Sequence, residues 1–277
     1  MSNNLLPNLP PIPAQPGDHA RAINSVQVST HQGLRAYQED RYLVAAGLAI
    51  PDARSFLQEA FAEAATETNR YRSGATGTGL VIDNNKVTTA FLGDSPVVIF
   101  TRDPLTGDVA ARKLTRDHHA ARNDEKELVE DAGGWVHANG RVSGTLMLSR
   151  AFGDAGIRGV LREPEYATYD LQKDLAAGKE VFVLLSSDGL YDGARHRDYI
   201  APLKEAMAAG QESRLAEIFT AFAYQKGSAD NITALVHKID PQQSGALFLA
   251  LADGHGGHAA ADKVIGVSSA KAKAHAP

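Results

Sequence analysis

The sequence predicts an α+β protein built on two packed sheets, and three observations carry that reading. Short β-branched and apolar runs follow one another from Ser25 to Phe100. A helical stripe interrupts them over 52–70. Val181–Leu185 is a continuous apolar run, as expected of a strand buried on both faces, and Ala246–Ala252 is a fully apolar run of strand length.

The first predicted strands are Ser25–Thr30 and Arg41–Leu48. The helix follows, with Ala53, Phe56, Leu57, Ala60, Phe61, Ala64 and Ala65 on one face and Asp52 as its N-cap. Strands Gly79–Ile82 and Lys86–Leu92 are joined by the turn residues Asp83-Asn84-Asn85, and Val97–Thr101 comes next. A helix over 120–132 ends at Gly133-Gly134, a C-cap pattern. Beyond Val181–Leu185 come helical patterns at 198–209 and 212–226 and a strand at 231–239. Strand 246–252, a Gly-rich turn and an Ala-rich helix from about 258 close the chain.

Composition narrows the function. With 28 Lys+Arg against 33 Asp+Glu in 277 residues, no basic field exists for nucleic acid. The absence of cysteine excludes thiolate nucleophiles, disulfides and thiolate zinc sites. No run is long enough for a membrane span. The first twenty residues hold no Lys or Arg but include Pro7, Pro10, Pro11, Pro13 and Pro16. Residues 1–22 therefore read as an extended leader or a proline-rich ligand, not a secretory signal, and the expected address is cytoplasmic. Residues 267–277 read as a flexible tail, which leaves 23–266 as a single domain.

Acidic residues recur where apolar runs stop. Glu39 and Asp40 precede a strand, Asp94 follows one, and Asp188 and Asp192 follow Val181–Ser187. Asp230 opens the strand at 231 and Asp253 ends Ala246–Ala252. A carboxylate at the mouth of a buried strand is costly unless it is paired or metal-bound. Oxygen-only ligands suit Mg²⁺ or Mn²⁺.

At these residues the sequence resembles the metal-dependent Ser/Thr protein phosphatases of type 2C. The resemblance is carried by GLRAYQEDRY (33–42), SGATGTGLVI (73–82), AFLGDSPVVIF (90–100), LTRDHHAARNDEKELVEDAGGWV (114–136) and RVSGTLMLSRAFGD (141–154). It continues in EPEY (163–166), VLLSSDGLYD (183–192), SADNITALV (228–236) and LALADGHGGHAAAD (249–262). It implies a central β-sandwich of two antiparallel sheets flanked by α-helices, with a binuclear metal site at one edge. It also implies hydrolysis of phosphoserine and phosphothreonine in protein substrates by activated water. One departure stands out. In the family the DGHGG segment follows the first acidic motif on the next strand; here strand, DGHGG turn and helix stand at 246–266, so the connectivity reads as permuted. The turn-rich linker Asp240–Gly245 leads us to expect 246–252 beside 231–239, bringing Asp253 near Asp230. The alternative is a domain-swapped dimer through 246–266 rather than a monomer.

Carried onto matching positions, the resemblance makes Asp253 the bridge between two Mg²⁺ or Mn²⁺ ions and gives one of them the Gly254 carbonyl. Asp188 and Asp230 complete the other shell. Glu39 and Asp40 match carboxylates that bind metal directly or through water. Asp94 with Asp188 matches a weaker third-ion site, with Asp192 beside it, and Asn231 stands behind the ligands. Arg35 matches the phosphate-gripping arginine, and Arg141 lies in a motif near the active-site mouth. His255 matches the general acid for the leaving alkoxide. His258 reads as a helix start and Trp135 as packing. The alternative function is a pseudophosphatase, an interaction module whose permuted metal site is not catalytically competent.

Overall fold

The computed structural model describes residues 19–83 and 85–277. The leader expected over 1–22 lies outside the described residues up to Asp18, and β1 (His19–Ile23) occupies its end. The described chain groups into two compact units.

One unit contains the residues up to Gln38 together with Val97–Leu114 and Asp170–Gln243. Its antiparallel sheet holds β1, β2 (Val26–His31), β7 (Val97–Arg102), β8 (Val109–Lys113), β11 (Glu180–Ser186) and β12 (Ile232–Lys238). The strands run in the order β1-β2-β12-β11-β7-β8. β11 and β12 are buried nearly throughout, which explains their continuous apolar sequences. Helices α3 (Gln172–Ala176), α4 (Ile200–Ala208) and α5 (Leu215–Gln225) belong to this unit. α5 covers β2 and β12, and Phe219 meets Tyr199 edge-on at 5.2 Å between ring centroids.

The other unit contains Glu39–Pro96, Thr115–Tyr169 and Ser244–Pro277. Its main sheet is formed by β3 (Arg41–Leu48), β5 (Gly77–Asp83), β6 (Lys86–Leu92), β10 (Glu165–Asp170) and β13 (Ala246–Ala252), in the order β10-β6-β5-β13-β3. A ribbon of two-residue strands, β4 (Gly74–Ala75), β9 (Phe152–Gly153) and β14 (Gly254–His255), runs β14-β4-β9. Helices α1 (Ala53–Thr68), α2 (Asn123–Asp131) and α6 (Ala259–Ala274) complete the unit. Asp52 caps α1 as expected, accepting the Ser55 N–H at 2.7 Å. The predicted stripe of α1 is buried, with Phe56 edge-on to Phe248 at 5.0 Å.

Two expectations need correction. Strand 246–252 does not return beside 231–239. β12 already has β2 on one edge and β11 on the other, so it offers no free edge. β13 instead pairs antiparallel with β3 and with β5, where all seven of its residues are buried. The tail expected from 267 is also helical, because α6 runs on through Ala274. Ala and Lys are strong helix formers, and Val267, Ser268 and Ala272 turn inward.

Candidate metal centre

In the first unit the acids gather through strand register. Ser186 of β11 lies opposite Ala234 of β12, and Ile232 lies opposite His31 of β2. Asp188, just past β11, Asp230, just before β12, and the 32–38 loop after β2 therefore leave the same end of the sheet. Their loops touch through backbone: a Cβ on Gly189 would lie 2.1 Å from the Asn231 carbonyl oxygen, so only glycine fits beside Asp188. Asn231 ties the arrangement together. Its Nδ2 donates to the carbonyls of Gln32 at 2.8 Å and Tyr37 at 3.0 Å, fixing the loop that carries Arg35. The Arg35 guanidinium in turn donates to the Asp230 carboxylate. Asp192 accepts the Ser228 hydroxyl at 3.0 Å.

The second unit repeats this logic. Ala252 at the end of β13 pairs with Arg41 at the start of β3, and Gly77 at the start of β5 pairs with Leu92 at the end of β6. Glu39, Asp40, Asp94 and Asp253 thus emerge at one sheet end. Thr76 clamps the Asp253 backbone, donating its N–H to the Asp253 carbonyl at 2.9 Å and accepting the Asp253 N–H on Oγ1 at 3.1 Å. Gly254 packs against Glu39, where a Cβ would lie 2.8 Å from the Glu39 carbonyl oxygen. Asp40 is buried. Asp94 meets His119 Nε2 at 2.9 Å, an imidazole partner that the sequence reading did not foresee.

His255 sits on β14, and its Nε2 meets the buried Asp154 carboxylate at 2.8 Å. Asp154 ends the 141–154 motif, and an acid closing the run Ala151-Phe152-Gly153 is its only signal in the sequence. The Arg141 guanidinium bends back to donate to the Thr145 carbonyl at 2.7 Å. His258 stands at the N-cap of α6 and pairs with Asp262. Trp135 is half exposed, its ring edge-on to His137.

The family model for protein phosphatase 2C matches residues 23–232. The chain belongs to the protein phosphatase 2C family. This is a family of Mg/Mn-dependent phosphoprotein phosphatases. The chain is 31% identical over 232 residues to a probable protein phosphatase 2C 59 of Arabidopsis thaliana, covering 82% of this chain and 69% of that one. It is 34% identical over 183 residues to a probable protein phosphatase 2C 59 of Oryza sativa subsp. japonica, covering 64% of this chain and 51% of the relative. It is 34% identical over 180 residues to the human protein phosphatase 1F, covering 63% and 37%. The chain thus spans about half the length of the rice relative and little over a third of the human one. The same fold occurs in a serine-threonine phosphatase 2C from Toxoplasma gondii, with a TM-score of 0.59, 18% identity and coverage of 80% and 97%. A C. elegans sex-determining protein shares it at a TM-score of 0.61 and 23% identity, with coverage of 82% and 66%.

The type 2C donors fit divalent cations of the hard class: carboxylates and one carbonyl, with no imidazole or sulfur. The Gly254 contact adds a geometric fit, since it holds that carbonyl against the Glu39 main chain. Among the described residues, the donors within 4.8 Å of one another are a different set, His118, Glu125 and Glu165. That set is filled by a guanidinium. Arg150 donates to both Glu125 oxygens, at 2.7 and 3.0 Å, and Ser149 donates to Oε2 at 2.5 Å. Burial pushes Glu125 up, but the Arg150 and Ser149 hydrogen bonds outweigh it and leave the carboxyl below its ordinary value. Burial, reinforced by the Arg150 charge, pushes His118 down to about 3 and keeps its ring neutral. We assign this set to a buried ion-pair network rather than to a cation site.

Proposed function

We propose that the chain is a cytoplasmic protein phosphatase that hydrolyses phosphoserine and phosphothreonine with two divalent ions, Mg²⁺ or Mn²⁺, and a weaker third. The observation that carries this reading is that the expected acids leave the strand ends of their own sheets, with glycine-to-backbone contacts at Gly189 beside Asp188 and at Gly254 beside Asp253. Asp253 and the Gly254 carbonyl would hold one ion and Asp188 and Asp230 the other, with Asp253 shared and Glu39 and Asp40 direct or through water. Asp94, Asp188 and Asp192 would form the third site.

When bound, the ions supply acidified water and offset charge on the phosphoryl group. Arg35 presents a planar fork to the phosphoryl oxygens from a loop that Asn231 keeps in place. Arg141 lends positive charge near the mouth. His255 gives a proton to the leaving serine or threonine oxygen, whose alkoxide is too basic to depart unaided. The occupant of the site is a phosphorylated protein, and the acting species is a monomer in which 246–266, the family's DGHGG segment moved along the sequence, docks in cis. Support for the cis arrangement lies in the short connection of seven residues, 239–245, between β12 and β13, which favours docking within one chain.

The test is hydrolysis of an aryl phosphate and of a phosphothreonine peptide with and without Mn²⁺. Metal-dependent turnover is expected, and Asp253→Ala or Asp188→Ala should abolish it. Phosphopeptide binding without turnover would mark an interaction module instead.

A further inference from the structure

We infer that Asp154 is the positioning residue of His255, fixing the imidazole through Nε2 so that Nδ1 is the atom that delivers the proton. This rests on the phosphatase reading above, and the evidence lies in the three-stranded ribbon. His255 of β14 stands opposite Gly74 of β4, and Gly74 stands opposite Gly153 of β9. Residues opposed across antiparallel strands share a face, so His255 lies on the face of Gly74 and Gly153, and Asp154, just past β9, reaches that face only by leaving the strand's alternation.

That meeting place exists only because position 74 has no side chain. A Cβ there would lie 2.1 Å from Asp154 Oδ2 and 2.1 Å from His255 Nε2, filling the gap the two groups share. Asp154 itself adopts a left-handed φ of 50°, unusual for a residue with a Cβ, which turns its carboxylate back over the ribbon. Its N–H donates to the Ser73 carbonyl at 3.1 Å and Arg162 donates to the Gly153 carbonyl at 2.6 Å, so the turn is held from both sides. The carboxylate is 4% exposed, whereas the imidazole is 31% exposed. One end of the ring is therefore buried against Asp154 and the other faces outward.

An ionised carboxylate only accepts, so the proton between the groups belongs to Nε2. Nδ1 has no hydrogen-bond partner among the described residues and is left to act. In the cationic ring Nε2–H stays with Asp154 while Nδ1–H passes to the leaving oxygen. As a water-derived hydroxide forms its bond to phosphorus, the bond from phosphorus to the serine or threonine oxygen breaks. The departing oxygen takes the Nδ1 proton, which leaves neutral His255, inorganic phosphate and the free hydroxyl.

The experiment compares wild type, Asp154→Asn and Gly74→Ala, each as the full chain with saturating Mn²⁺, on a phosphothreonine peptide and on p-nitrophenyl phosphate. Nitrophenolate leaves without a proton, so a positioning role predicts unequal losses. We expect turnover of the peptide to fall at least tenfold more than turnover of the aryl phosphate in both variants, since general acids contribute on the order of 10²–10⁴. Nitrogen-15 correlation spectra of His255 should place the proton of the neutral wild-type ring on Nε2. Equal losses on both substrates in an active enzyme, a deficit that more Mn²⁺ reverses, or a wild-type ring protonated at Nδ1 would overturn the role of Asp154 alone. A wild type without metal-dependent turnover would overturn the phosphatase reading and this role together.

Discussion

Arg35 and Asp230 form an ion pair, so the arginine expected to grip phosphate already holds a carboxylate expected to ligate metal. Both lie in the loop cluster at one sheet end, and Arg35 remains more than half exposed there. A charge-assisted hydrogen bond contributes about 1.5–3 kcal/mol, or roughly 10–100-fold in affinity. Arg35→Ala should therefore raise KM for a phosphothreonine peptide by about that factor. It should not weaken Mn²⁺ binding, since it removes a competing cation from Asp230. Arg35→Lys should recover only part of the loss, because an ammonium cannot form the fork. Steady-state kinetics with a parallel Mn²⁺ titration check both halves, and an unchanged KM in Arg35→Ala would remove Arg35 from phosphate binding.

Gly254→Ala tests the other unit. The new Cβ would sit 2.8 Å from the Glu39 carbonyl oxygen, and the backbone around Glu39 would have to yield. Because the proposed ligand at this residue is its own carbonyl, the shift should weaken Mn²⁺ binding by about tenfold or more, given the narrow geometry that metal sites tolerate. Calorimetric Mn²⁺ titration of the folded variant reads this directly. Affinity equal to wild type would remove the Gly254 carbonyl from the ligand set.

Much of the fold was legible because its strands announce themselves. Arg41–Leu48, Lys86–Leu92 and Ala246–Ala252 have the boundaries read from their apolar runs. Asp52 capped α1 because capping is a local event. Partner choice was harder to read. Hairpin length placed 246–252 beside 231–239, yet no sequence shows that both edges of β12 are already taken. β1, β4, β8, β9, β10 and β14 went unread; the two-residue strands among them are too short to show a period. The acids were visible from their strand-end positions, but their partners arrive from far along the chain: Arg35 for Asp230, His119 for Asp94 and Asp154 for His255.

His118 makes stability depend on pH. Its folded value of about 3 lies well below its ordinary 6.5, because burial and then Arg150 disfavour the charged ring. Between those values the unfolded chain binds a proton that the folded chain refuses. The contribution is thus complete above pH 6.5 and is lost as pH falls toward 3, by up to about 1.4 kcal/mol per pH unit. Burial also lowers His237, which acts in the same direction. Urea unfolding between pH 7 and 4 should show this slope. His118→Asn, which keeps an acceptor for the Gly93 N–H, should flatten it by about one proton.

Arg150 and Glu125 make a buried pair whose halves are not independent. Glu125 is 1% exposed, and its carboxylate is satisfied by Arg150 and Ser149. Arg150→Met would strand that charge, at a cost of roughly 3–5 kcal/mol, which corresponds to a fall in Tm on the order of 10 °C. Replacing both, as Glu125→Leu with Arg150→Met, should recover most of the loss, because the buried charge goes with its partner and Glu165, which loses its 3.3 Å contact with Arg150, is exposed enough for water to replace it. Scanning calorimetry of the three variants decides the matter, and a small effect in Arg150→Met alone would show the pair to be dispensable.

A chain ending at Gly245 should fail to build the second unit. Without 246–277, β3 has no neighbour in its sheet and β5 loses one of its two partners. α1 loses the Phe248 ring against Phe56 and the ion pairs that Lys271 of α6 makes with Glu59 and Glu63. A row of unpaired backbone groups beside apolar side chains is a template for association. The shortened chain should therefore aggregate, and it should lack Mn²⁺-dependent turnover because Asp253 goes with the segment. Mixing full-length Asp188→Ala with full-length Asp253→Ala then separates docking within one chain from exchange between two. If β13 inserts into its own sheet, the mixture stays as inactive as its parts after joint refolding and elutes as monomer. Activity recovered by refolding the pair together would mean that 246–266 crosses between molecules, since only exchange can unite an intact Asp188 with an intact Asp253.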